Sequence, residues 1–208
     1  MSQLVHVSRH PLVQHNLTRL RDRDTEPTVF RELVRELARL LFYEASQDLA
    51  LESVTVMTPL AECAGGRLAE RIGLVPILRA GLGMAEAILH AIPTAQVWHL
   101  GLYRDHETLQ PVTYYNKLPQ QPTFDVAFLV DPMLATGGSA VAAIDILARW
   151  GIGRVKYLAL IAAPEGVRAM NETHPEVPLY LGAIDDHLNE HAYIVPGLGD
   201  AGDRQFGT

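Results

Sequence analysis

Residues 131–139 read DPMLATGGS: one acid, then small residues, a threonine, two glycines and a serine, set between an apolar run and a segment of helical character. Glycines let backbone N–H groups come close to a phosphate, and the positive end of a helix dipole favours the anion. The hydroxyls of Thr136 and Ser139 add donors. An ionised Asp131 only accepts, which suits sugar hydroxyls rather than phosphate oxygens. The chemistry implied is the grip of a sugar phosphate. By itself TGGS also fits a tight turn with a capping hydroxyl; the strand before it, the acid at the strand end and the helix after it favour phosphate. Two other phosphate motifs fail. G-x-x-x-x-G-K-[ST] is absent, and GLGMAE, from Gly81, has Glu86 where a dinucleotide fingerprint needs its third glycine.

Three further loops combine small residues with charge. PILRAGLGM, 76–84, carries Arg79, whose five donors match phosphate oxygens; alone, it also reads as a surface arginine in a turn. YRDHETLQPVTYYNKLPQQP, 103–122, is long, polar and marked by prolines, with Arg104 at its base and Lys117 towards its far end. Such a loop in a compact chain is usually a cover or a binding segment, here with hairpin character. YIVPGLGDAGDRQFGT, 193–208, is rich in glycine and holds Asp200 and Asp203. Its apolar anchors Tyr193, Ile194, Val195, Leu198 and Phe206 predict a packed terminus. Its glycines would let backbone groups face a small planar ligand such as a nucleobase.

The elements that must position these loops alternate. Residues 28–50 predict a helix with Phe30, Leu33, Val34, Leu37 and Leu41 on one stripe and Pro27 in its first turn. SVTVMT, 53–58, reads as a strand, one arm of a hairpin. From residue 73, strands GLVPIL, AQVWHLGLY, DVAFLV, RVKYLALIAA and PLYLGAI alternate with helices GMAEAILHAI, GGSAVAAIDILARW and PEGVRAMNETH. Apolar strands without strict alternation predict an α/β fold with a mostly parallel sheet covered on both faces. Ligands of such sheets lie beyond the carboxyl ends of the strands, where these loops leave.

The 208 residues suffice for one domain with a sizeable core, spanning 1–208. With 24 acids against 17 Lys and Arg, the formal charge is −7, which disfavours nonspecific nucleic-acid binding. No run reaches the ~18–20 apolar residues of a membrane span, and the N-terminus lacks the pattern of a secretory signal. Cys63 is the only cysteine, so an intramolecular disulfide is excluded and a cytoplasmic location is expected. Cys63 reads as structural rather than nucleophilic, and Trp98 and Trp150 as core or interface residues. In HLNEH, His187 and His191 have a helical metal-ligand spacing, but a third ligand is lacking and a surface or capping role is favoured.

Taken together, VDPMLATGGS, PILRAGLGM, YRDHETLQPV, AAPEG and the terminal YIVPGLGDAGD…FGT resemble the uracil phosphoribosyltransferases, in family order, from about His10 to Thr208 and most weakly over 53–72. The resemblance implies the type I phosphoribosyltransferase fold: a parallel α/β core, a small hood, a β-hairpin lid and an N-terminal helical segment packed on the core. It implies transfer of phosphoribose from 5-phospho-α-D-ribose 1-diphosphate (PRPP) to uracil, giving UMP and diphosphate in pyrimidine salvage. Asp131, Pro132, Met133, Leu134, Ala135, Thr136, Gly137, Gly138 and Ser139 would hold the sugar phosphate. Arg79 and Arg104 would contact the diphosphate. Ile194, Gly199, Asp200 and Ala201 would read uracil, largely through backbone atoms. Asp200 would also face the donor through Mg²⁺ and its waters, the ion arriving with the diphosphate rather than being held by the chain. The family forms dimers or larger homo-oligomers, and GTP activates some members. Most type I relatives have two adjacent acids in the loop; the single Asp131 followed by Pro132 narrows the resemblance to the uracil branch.

The resemblance gives Arg104 and Asp200 the catalytic roles. Two arginines and Mg²⁺ would meet the charge that grows on the leaving diphosphate, while exclusion of water would protect the donor from hydrolysis. Asp200 and a water are both open as acceptors of the uracil N1 proton. The alternative function is a nucleotide-sensing regulator on the same fold that binds RNA, against which the acidic balance argues.

Overall fold

The computed structural model describes residues 4–104 and 111–208, the side chains of Tyr103, Arg104 and Pro111 excepted. The chain begins with β1 (Val5–Val7), α1 (Pro11–Arg21) and α2 (Pro27–Ala45), followed by a hairpin of β2 (Leu51–Met57) and β3 (Glu62–Leu68). Next come β4 (Ile72–Leu78), α3 (Leu82–Ala91), β5 (Gln96–Val97), β6 (Leu100–Arg104) and β7 (Pro111–Asn116). Then follow β8 (Val126–Val130), β9 (Met133–Leu134), α4 (Gly138–Trp150), β10 (Val155–Ala162), α5 (Pro164–Thr173) and β11 (Leu179–Ile184). The small β12 (His187–Leu188), β13 (Ile194–Val195) and α6 (Ala201–Phe206) end the chain.

Among the described residues one sheet runs in the order β1-β11-β10-β8-β4-β6-β7, with β5 beside β4 and β9 beside β10. Its pairings are parallel except for β6 with β7, the antiparallel arms flanking residues 105–110. Every residue of β8 and β10 is buried, which is why these strands read as unbroken apolar runs. On one face, the predicted stripe of α2 packs with α1 and α3 against Leu74, Phe128, Leu158 and Leu160. On the other, α4 and α5 cover Val75, Leu129, Tyr157 and Ala159.

Four local readings are refined. AQVWHLGLY divides into β5 and β6, with Trp98 between them, half-buried and edge-on to Trp150 at 6.5 Å. HLNEH is not helical: His187 lies in β12, and Asn189 Oδ1 accepts from the N–H groups of His191 and Tyr193 to close a turn, so the helical spacing does not apply. Cys63, read as structural, is exposed on β3. Finally, the N-terminal helical segment begins earlier than the 28–50 stripe, with α1; Pro11 opens it and His10 Nδ1 accepts from Leu12 N–H as its cap.

Candidate active site

The chain passes from β4 outward to β6 and β7, then returns to β8 on the other side of β4. Adjacent strands therefore release their following loops in opposite directions, the arrangement that opens a crevice at the carboxyl edge of an α/β sheet. β4 and β8 are in register from Ile72↔Val126 to Pro76↔Val130. Arg79 follows one strand and Asp131 the other. Gly81 permits the approach of the two loops: a Cβ there would stand 2.5 Å from the carbonyl oxygen of Val130.

The 131–139 loop forms a small cavity of about 80 Å³, lined by Asp131, Met133 to Ala140 and Tyr157. Gly137 sits at φ 86°, in the left-handed region, and turns the chain into α4. The first helical N–H to find a partner in the helix is that of Val141, on Gly137 O. The amides of Gly138, Ser139 and Ala140 precede it at the positive end of the dipole. Asp131 accepts from Met133 N–H, yet burial outweighs that bond and pushes its carboxyl up to about 7. The residue is half-buried, with its carboxyl facing the cavity. Pro132 and Leu134 are buried and support the loop from beneath.

Arg79 is exposed, joined to Leu78 by a cis peptide bond, and leans on α6. Its Nη2 is 3.4 Å from Asp203 Oδ1, and its guanidinium lies 5.9 Å from the centre of the Phe206 ring. Asp200 caps α6 by accepting from Asp203 N–H at 2.9 Å. Asp200 Oδ1 and Arg79 Nη2 lie 3.2 and 3.9 Å from the point where a Cβ on Gly202 would stand, so both flank that glycine. Buried Gln205 ties α6 to the arginine loop by donating to Ala80 O at 2.9 Å.

The turn that precedes α6 is anchored from the other end of the sequence. Arg21 forks onto Asp185 at 2.5 and 2.7 Å and also donates to Gly197 O, while Gly197 N–H donates to Asp185 at 2.8 Å. Arg204 donates to the carbonyls of Leu20, Asp22 and Leu198. Ile194 is buried in β13, paired with Leu188, whose N–H donates to Glu165 at the start of α5.

The structure thus sets Arg79 against α6, which begins at Ala201 and is capped by Asp200, and places the Asp131–Ser139 loop after the neighbouring strand. Arg104 ends β6, and its side chain falls outside the described residues, as do residues 105–110 of the expected cover. Sequence reading missed Arg21, Asp185, Arg204 and Gln205. Arginines with no motif around them give no local signal; only the loops they hold reveal them.

The family model described as "Uracil phosphoribosyltransferase" matches residues 7–208. Curated relatives of that name are 66% identical over 208 residues in Roseiflexus sp. (strain RS-1) and 59% over 209 residues in Symbiobacterium thermophilum, covering all of both chains in each case. Among solved structures, the AQ2163 protein of Aquifex aeolicus superposes with a TM-score of 0.92 at 38% identity over 98% of each chain. A hypoxanthine phosphoribosyltransferase of Staphylococcus aureus shares the fold, with a TM-score of 0.53 at 12% identity over 76% of each chain.

Proposed function

This chain belongs to the uracil phosphoribosyltransferase family, and from that premise we propose how its residues divide the work. The reaction joins uracil N1 to the C1 of PRPP, giving UMP and diphosphate. In our reading Asp131 accepts from the ribose hydroxyls, and the Met133–Ser139 backbone with the Thr136 and Ser139 hydroxyls holds the 5′-phosphate. Arg79 and Arg104 draw the diphosphate away. Ile194 and the Gly199–Asp200–Ala201 turn read uracil through backbone donors and acceptors. The observation that carries this is the adjacency of β4 and β8: one substrate can touch the arginine loop at one end and the glycine loop at the other.

The side chains suit the charge changes. As the C1–oxygen bond lengthens, C1 gains positive character and the leaving diphosphate gains negative charge. Guanidinium groups aimed at that charge are worth about 3–4 kcal/mol each in the transition state. Asp200 and Asp203, both exposed on the first turn of α6 beside Arg79, are oxygen donors of the kind Mg²⁺ takes through waters. They fit an ion that arrives on the diphosphate; Mg²⁺ would neutralise part of its charge. Asp200 and water are both acceptors for the N1 proton in this reading.

The 208 residues act as one domain in the cytoplasm; no described helix is long and apolar enough to cross a membrane. A homo-oligomer is part of the proposal. The β2–β3 hairpin buries none of its side chains, and Leu51, Met57 and Leu60 face outward. Two-stranded ribbons are marginal alone, and a second copy would cover this one. GTP as an effector belongs to the same reading: a cleft of about 1080 Å³, with Arg9, Tyr43 and Tyr180 among its walls, has room for a nucleotide. Nothing observed favours an RNA-binding regulator.

The test mixes purified protein with PRPP, Mg²⁺ and each nucleobase in turn. UMP from uracil alone is expected, and GTP titration and light scattering test effector and assembly in the same preparation. A purine nucleotide as the main product would overturn the uracil assignment.

A further inference from the structure

The floor beneath the 131–139 loop carries a polar group that the reaction described above does not use. Tyr157, on β10, is fully buried, and its hydroxyl oxygen has no hydrogen-bond partner. An unpartnered hydroxyl in the interior costs about 1–3 kcal/mol, so one beside a functional loop calls for an account. Tyr157 stands opposite Leu129 in the parallel register of β10 and β8. Asp131 is two residues beyond Leu129, on the same face of the pleat and about 6.6 Å further along. The Asp131 charge is felt at the phenol, which sets the two polar ends within reach of one another. Both residues line the same small cavity, with Met133 to Ala140 as its remaining walls.

We propose that Tyr157 is a positioning residue for Asp131: its hydroxyl donates, directly or through one enclosed water, to the Asp131 carboxylate once the ribose is in place. Asp131 is acceptor-only when ionised and here has a single chain donor, Met133 N–H, which leaves lone pairs for both the phenol and the ribose hydroxyls. The two groups act on each other across the cavity: burial first, then the Asp131 charge, raises the phenol well above its ordinary value. No competing ionisable group reaches the carboxyl among the described side chains. Residues 132–140 carry none; β10 adds only Lys156, whose ammonium is held by Ala45 O and Asp48 on the other face of the strand; and Arg79 at the end of β4 is engaged by Asp203 and Phe206.

The inference rests on Asp131 as the ribose-binding acid, and the test separates the two. Tyr157→Phe removes one oxygen and leaves the ring. It should raise KM for PRPP about tenfold, the loss of one bond to a charged acceptor. It should leave kcat within about twofold. The acid limb of the kcat profile should move to higher pH, because in the substrate complex the phenol favours the ionised carboxyl. The melting temperature should hold or rise, since the variant deletes an unpartnered polar atom. Asp131→Asn should itself weaken PRPP, and Tyr157→Phe added to it should cost nothing more. An unchanged KM and acid limb in Tyr157→Phe, with Asp131→Asn still impaired, would overturn the role of Tyr157 alone. Equal losses in both backgrounds would do the same. A wild-type KM in Asp131→Asn would overturn both assignments.

Discussion

Arg21 and Asp185, 164 positions apart, form a two-pronged ion pair whose members also grip the two polar groups of Gly197: the arginine donates to its carbonyl and the aspartate accepts from its N–H. The Asp185 side chain is only 3% exposed. The end of α1 thereby fixes the turn that leads to Gly199, Asp200 and Ala201. Arg21→Ala would leave a buried carboxylate without its counter-charge, a loss of about 3–5 kcal/mol. We expect a lower denaturation midpoint and a KM for uracil raised more than that for PRPP, because the uracil turn loosens while the 131–139 loop keeps its own support. Urea melts and initial rates with each substrate varied check this.

Gly81→Ala would set a methyl 2.5 Å from Val130 O and 2.8 Å from Ile77 O, both fixed backbone atoms. The loop must move, at a cost of about 1–3 kcal/mol. Because Arg79 rides on that loop, kcat/KM for PRPP should fall by more than tenfold, and a crystal structure should show the guanidinium displaced from Asp203.

Asp200→Asn separates a structural role from an electrostatic one. Asparagine caps helices as well as aspartate does, so α6 should persist. Only the charge facing the donor is lost. Turnover should fall while circular dichroism and melting temperature stay put; an unchanged rate would leave Asp200 as a cap and nothing more.

Arg104→Ala removes the cation at the end of β6. The expected loss in kcat is about 100-fold, the scale of one preorganised donor to developing charge. The fold should be retained, as judged by circular dichroism and the melting temperature.

Asp131 makes stability and activity respond to pH in opposite senses. Its carboxyl titrates near 3.8 unfolded and at about 7 folded, the increase caused by burial. Between these values the folded chain binds more protons than the unfolded one, so ligand-free stability falls as pH rises through that window and is fully present only below it. Binding of PRPP needs the ionised acid and should strengthen over the same range. Asp131→Asn should flatten the stability curve between pH 4 and 7, which melts across that range will reveal.

Much of this protein is written locally. Unbroken apolar runs such as VAFLV and RVKYLALIAA announce buried parallel strands, and the helix stripe from Phe30 to Leu41 announces the layer that covers them. DPMLATGGS and PILRAGLGM mark their own loops because acid, glycine and arginine are needed within a few residues of one another. Where short-range patterning is ambiguous, it misleads: the histidines of HLNEH have a helical spacing, but Asn189 closes a turn and they never share a helix face.

The sequence by itself determined the alternation of strands and helices, the loops at the strand ends and the chemistry of each loop, because periodicity and turn residues act over a few positions. Tertiary structure alone decided that β4 and β8 are neighbours, that Arg21 holds a turn near the opposite terminus, and that Tyr157 and Asp131 share a cavity. Those relations join residues tens to more than a hundred positions apart. They are set by which surfaces pack once the sheet is assembled, and no local pattern records that choice.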